Sequence, residues 1–222
     1  MNDDLGDPGE KTMRRPRADA LRNRERLLAA AKAVFSSGGA EASLEAVARR
    51  AGVGIGTLYR HFPTREALFE AVYRREVEQL ADLAEELEGG AAPAEALRHW
   101  LHANIEFVAT KKGMAAALAL AAHAPPELTS YSFERLTKAV GMLLDRAVTA
   151  GEIRADICPE DILRTLIGMC IIHDQPGWQG SVRRLVDVFV DGLRRGAGAA
   201  PTIASSPREQ NFGSRRSAAC ES

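Results

Sequence analysis

The chain has 222 residues, enough for one small domain plus a larger one, and 45% of them are hydrophobic, which excludes wholesale disorder. A formal net charge of −1 argues against a protein coated all over in nucleic acid. Cys158, Cys170 and Cys220 have no paired short spacing, so neither a disulfide framework nor a zinc knuckle is expected and a reducing compartment is the default.

Residues 1–17 mix Asp, Gly, Pro and Arg without a hydrophobic period and read as a disordered basic arm, able to enter a minor groove or to float beside a phosphate backbone. The polar N-terminus has no apolar run behind it and no stretch is long enough to span a bilayer, so a cytoplasmic location is expected, with no membrane partner. A first helix is predicted from about Asp19 to Ser37, with Leu27, Leu28, Ala31, Val34 and Phe35 inward and Gly38-Gly39 as its stop. Charge is unevenly placed. Arg14, Arg15, Arg17, Arg22, Arg24 and Arg26 face only Asp19 and Glu25, whereas Glu76, Glu78, Asp82, Glu85, Glu86 and Glu88 dominate later. A basic front on a neutral chain is the footprint of a DNA-binding module attached to something else.

Residues 43–69, SLEAVARRAGVGIGTLYRHFPTREALF, read as helix, tight turn, helix. Ser43 suits an N-cap, with Glu45 where the helix dipole favours an anion. Leu44, Val47, Ala48 and Ala51 follow i, i+3, i+4, i+7 spacing and give one buried face. Ala48 lets two helices approach, Gly52 makes the turn at positive φ, and Leu58 locks the second helix. That helix then presents Ile55, Thr57, Tyr59, Arg60 and His61 without an acid among them, which suits a major groove.

The run VGIGTLYRHF followed by PTREALFEAV resembles the DNA-binding domain of TetR-type transcriptional regulators over roughly residues 18–75. Through the resemblance, Tyr59 and His61 are expected to donate to phosphates, and Arg65 to stand where relatives usually carry a phosphate-binding lysine. Ile55, Gly56 and Thr57 lie nearest the base edges, Ile55 against a thymine methyl, and Arg60 serves either role. Ser43 caps and also touches a phosphate. Gly54 occupies the capping position where many relatives carry a hydroxyl.

A long fourth helix is predicted from Thr64, its N-cap, to about Leu87, ended by Gly89-Gly90. Further helices are expected over Ala94–Lys112, Met114–His123 (closed by Pro125-Pro126), Ser132–Ala150, Pro159 to Ile172, and about Ser181–Arg195. The tail, residues 196–222, is rich in Gly, Ala, Ser and Pro and reads as disordered. The expected fold is all-α: a three-helix head over residues 18–63, a connecting helix over 64–88, and a helical bundle over 89–195. The bundle resembles the effector-binding and dimerisation domain of the same family in length and helix pattern. Its last two helices look too apolar for a monomer surface, with stripes around Leu166, Cys170, Val186 and Phe189, so a homodimer on a near-palindromic operator is expected.

An effector pocket is expected among Trp100, Asn104, Phe107 and Met142, for a mainly apolar small molecule. Cys170 and His173 lie three apart, but two ligands do not make a metal site, and no cofactor is expected. No catalytic residues are assigned, because the chain has no Gly-x-Ser-x-Gly elbow, phosphate loop or His-Glu-x-x-His. The resemblance implies a transcriptional regulator, a repressor released by its effector. A helical-bundle enzyme, which would need converging acids and histidines, and a ligand-free architectural DNA binder are the alternatives.

Overall fold

The computed structural model describes residues 9–37, 42–90, 92–117, 125–172, 175 and 177–194. Eight helices run through them: α1 (Gly9–Ser37), α2 (Leu44–Ala51), α3 (Ile55–His61), α4 (Arg65–Glu88), α5 (Pro93–Ala117), α6 (Pro126–Thr149), α7 (Pro159–Ile172) and α8 (Trp178–Leu193). Their only β-type pairing is an isolated bridge between Ile153 and Arg194.

Three helix boundaries differ from those predicted. The first helix starts at Gly9, so half of the expected disordered arm is helical. Glu10, Lys11, Met13, Arg14 and Arg15 are good helix formers, and a helix nucleated by its packed second half extends cheaply. A missing hydrophobic period does not by itself exclude a helix. Second, α5 continues through Gly113 to Ala117 as one helix, without a break before Met114. Gly113 serves close approach there, since a Cβ on it would meet the Phe35 backbone. Third, α6 starts at Pro126, six residues before Ser132, because proline suits the first helical position as well as it ends a preceding helix. Pro125 is its N-cap, and its carbonyl accepts from the Thr129 amide at 3.0 Å. The tail, His123 and His173 lie outside the described residues.

The chain forms two compact units whose boundaries cut across helices. The first runs to Tyr73 and resumes at Thr110; the second takes Arg74–Ala109 and the chain from α6 onward. Residue 63, the predicted division, falls within the first of these units. Leu68, Phe69, Val72 and Tyr73, in the first turns of α4, are all buried and complete the first unit's core. Leu27, Leu28 and Phe35 of α1 and Met114 of α5 are buried in the same unit. Lys111 sits 5.3 Å from the centre of the Tyr73 ring, and burial pushes its ammonium below the ordinary lysine range.

In the second unit α6 packs on α7 and α7 on α8. Val182, Val186 and Val190 recur every fourth residue along α8 and are fully buried. Arg98 of α5 reaches Asp187 of α8 at 3.1 Å and also bonds Asp191. On the acidic half of α4, Glu78 accepts from the Tyr131 hydroxyl and from Arg135 at 3.1 Å, both on α6. Three of the four residues marking the stripes predicted as a dimer surface need correction, while the fourth, Phe189, is half-buried. Leu166, Cys170 and Val186 are 1%, 0% and 0% exposed within one chain, and belong to its own core. Periodicity finds an apolar face but not which neighbour covers it. The exposed apolar side chains nearby are instead Ile171, Ile172, Leu185 and Val188.

Candidate nucleic-acid interface

The first unit holds α2 and α3 in a fixed relation through backbone chemistry. Ser43 caps α2: its φ of −143° and ψ of 165° are extended, and its hydroxyl accepts from the Ala46 amide at 3.1 Å. At the other end Gly52 adopts φ 68°, ψ 35°. The Gly52 amide donates to the Arg49 carbonyl at 3.1 Å and the Val53 amide to the Ala48 carbonyl at 3.0 Å, which is a Schellman stop. A side chain at Gly52 would pay the left-handed backbone penalty and also press on Arg26 Nη2, 2.7 Å from the Cβ position.

Three residues later α3 begins, with Gly54 as an N-cap that offers no side-chain hydrogen bond. Its carbonyl starts the helix by accepting from the Thr57 amide at 2.9 Å. Only two side chains anchor this short helix. Leu58 is 1% exposed and Phe62, at the C-cap, 2%. Each contributes about 1.5–3 kcal/mol by burial, enough to seat seven residues that would not stay helical alone. Arg24 of α1 lays its guanidinium over the Phe62 ring at 5.5 Å, and the His61 ring lies beside that ring at 6.3 Å.

With Leu58 and Phe62 turned inward, the rest of α3 faces out. Ile55, Gly56, Tyr59 and Arg60 are exposed, and Thr57 and His61 are half-buried. Neither Gly54 nor Gly56 has any atom within 4 Å of its Cβ position, so the helix front is smooth and open. Arg65 is exposed at the first position of α4, whose N-cap is Thr64; the Thr64 hydroxyl accepts from the Ala67 amide at 3.1 Å. A cation at that end opposes the helix dipole and gains from an external anion. All nine residues singled out from the sequence thus fall in one unit. Ser43 is half-buried and already occupied as a cap, and Gly54 is exposed. Arg24 is the residue sequence reasoning placed only in a basic patch; its stacking on Phe62 joins α1 to the end of α3. An arginine nineteen residues before Ser43, where the motif begins, carries no sequence signal for that contact.

The four residues expected to line an effector pocket lie in the second unit. Trp100, Asn104 and Phe107 are buried and Met142 is half-buried. The Trp100 indole N–H donates to the Leu80 carbonyl at 2.7 Å. Among the described residues no three metal-ligating side chains converge, and no helix is long and apolar enough to cross a membrane.

Comparison with known proteins agrees with this architecture. Residues 27–72 match the family described as bacterial regulatory proteins, tetR family, and residues 92–195 match the C-terminal domain described as transcriptional regulator SbtR-like. The chain is similar to the TetR transcriptional regulator SCO0520 of Streptomyces coelicolor, at 42% identity over 78% of this chain and 99% of that one, with a TM-score of 0.65. It is similar also to a TetR transcription regulatory protein of Mycobacterium vanbaalenii, at 34% identity over 81% of this chain and 99% of that one, with a TM-score of 0.62. Among curated relatives, the HTH-type transcriptional repressor KstR of Mycolicibacterium smegmatis is 47% identical over 58 residues, 26% of this chain and 28% of that repressor. That match spans little more than a quarter of the relative. With a capped helix-turn-helix head, a helical second unit and matches to both halves, the chain belongs to the TetR family of DNA-binding transcriptional regulators.

Proposed function

We propose that this protein is a homodimeric repressor that binds a near-palindromic operator and leaves it when a small, mainly apolar molecule occupies the second unit. The observation that carries the DNA half is the exposed face of α3. Ile55, Thr57, Tyr59, Arg60 and His61 face out or partly out with no acid among them, on a helix pinned by Leu58 and Phe62. Ile55 and Thr57 are the base readers, while Tyr59, His61, Arg65 and Ser43 hold phosphates. Gly54 and Gly56 let the helix front approach closely, and Arg60 contributes to either set.

Ile171, Ile172, Leu185 and Val188 supply the face for a second copy. In such a dimer the two heads stand about 34 Å apart, one turn of the duplex. The effector site is assigned to the surroundings of Trp100, Asn104, Phe107 and Met142. An effector that favours a different head spacing weakens operator binding by the ratio of its affinities for the two states. Selection of bound duplexes from a random pool tests the reading directly. A two-fold-symmetric consensus with half-sites about one helical turn apart is expected; recovery of no consensus, or of a single unrepeated half-site, would overturn it.

A further inference from the structure

Four polar or charged side chains are buried among the described residues: Glu76, Asn104, Thr110 and Ser132. Three of them are answered. Thr110 Oγ1 lies 2.6 Å from Ser36 Oγ, Ser132 Oγ donates to the Thr129 carbonyl at 2.9 Å, and Glu76 has interaction partners of its own. Asn104 is different. It is 1% exposed, and its Nδ2 has no hydrogen-bond partner. A buried amide in that state destabilises the fold that carries it, so its presence wants a reason outside the fold.

The neighbouring chemistry narrows the reason. Along α5 the buried positions around Asn104 are apolar: Leu97, Trp100, Leu101, Ile105 and Phe107. Trp100 has already committed its N–H to Leu80. Four arginines of the same unit are already engaged: Arg98 by Asp187 and Asp191, Arg135 by Glu78, Arg183 by Glu106, and Arg146 by the Leu87 carbonyl. An anionic ligand would find no uncommitted counter-charge among them. On α6, Thr137 Oγ1 is a second buried polar atom without a partner. His102 Nε2 also lacks a well-aligned bond, but it lies 3.0 Å from Asp187 Oδ1, which answers it whenever it carries a proton.

We propose that Asn104 donates its side-chain N–H to a carbonyl oxygen on a neutral, otherwise apolar effector, so that the effector class is a ketone, ester or lactone and not an acid. This rests on the effector site assigned above and gives it a chemical identity. The same donor explains why an amide is kept where leucine would fit the apolar stripe better.

The test uses the full chain and three probes of similar size: acetophenone, ethylbenzene and benzoate. Melting followed by circular dichroism should show acetophenone raising the wild-type Tm by about 2–4 °C, ethylbenzene raising it less, and benzoate not at all. In Asn104→Leu the advantage of the ketone over the hydrocarbon should vanish. Without any probe, Asn104→Leu should melt at or above the wild-type temperature, because an unpaired polar group has been removed. A ketone no better than ethylbenzene in the wild type, a benzoate that binds best, or a ligand-free Asn104→Leu that melts several degrees lower would each overturn the proposal. Operator selection is a separate measurement, and its failure would sink the regulator reading while the ketone–hydrocarbon difference still decided the ligand class.

Discussion

A Cβ placed on Gly113 would lie 1.9 Å from the carbonyl oxygen of Phe35, so the end of α5 and the end of α1 meet backbone to backbone inside the first unit. Beside that contact the Ser36 and Thr110 hydroxyls are 2.6 Å apart. Gly113→Ala must push the two helices apart, since backbone cannot give way as the tip of a side chain can. Chemical denaturation should show a loss of about 1–3 kcal/mol. Ser36→Ala, which removes one hydroxyl and leaves the contact intact, should cost about 1 kcal/mol. A Gly113→Ala protein as stable as wild type would refute the close approach.

Arg65→Ala should weaken binding to all duplexes alike and shallow the log–log salt slope by about 1–2 for a dimer, because phosphates carry charge but no sequence. Thr57→Ala should instead change the preferred base at one position per half-site. Titrations at several salt concentrations, on the selected operator and on a scrambled one, separate the two. An Arg65→Ala variant with altered sequence preference and an unchanged salt slope would reverse the roles.

Two valines two residues apart on α8 should behave oppositely. Val188 is 70% exposed and Val186 is 0% exposed. Val188→Glu should keep the helical fold and yield monomers by sedimentation, whereas Val186→Glu should unfold the second unit by placing an unpaired charge in its core. Wild-type protein sedimenting as a monomer at micromolar concentration would remove the dimer from the proposal.

Glu78 gives the stability an acid limit. The Tyr131 hydroxyl and then the Arg135 guanidinium, both bonded to it, hold its carboxyl below the ordinary 4.5. A carboxyl with a depressed folded-state pKa contributes stability that is fully present above its unfolded pKa and is lost as pH falls through the folded one. The wild type should therefore lose stability below about pH 4.5 more steeply than Glu78→Gln does. The pair is partly solvated, so at neutral pH the substitution should cost no more than about 1 kcal/mol. Parallel acid slopes in the two proteins would show that Glu78 is not among the groups responsible.

Elements with a local chemical signature were legible from sequence. Ser43, Gly52 and Thr64 mark helix ends through their own side chains or their lack of one, and the structure uses each as a cap or stop. Leu58 could be assigned to the interior because one face of α3 had to be buried. What failed was information held by a distant partner. Gly113 looks like a helix stop until the Phe35 carbonyl is beside it, and Val186 looks like a dimer contact until its own chain covers it. The amide of Asn104 could be placed on a pocket-forming helix, but only the structure shows that it is left without a partner.

Because the first unit is assembled from residues up to Tyr73 and again from Thr110, it is not a transplantable cassette. A chimera joined once, within α4, would carry a foreign α5 against its own Phe35 and Tyr73. Recombination between relatives at that point yields a functional head only if the incoming α5 brings a glycine opposite the α1 carbonyl. Exchange of DNA specificity should accordingly proceed more readily by substitution along the front of α3, where the Cβ positions of Gly54 and Gly56 are open, than by exchange of whole heads.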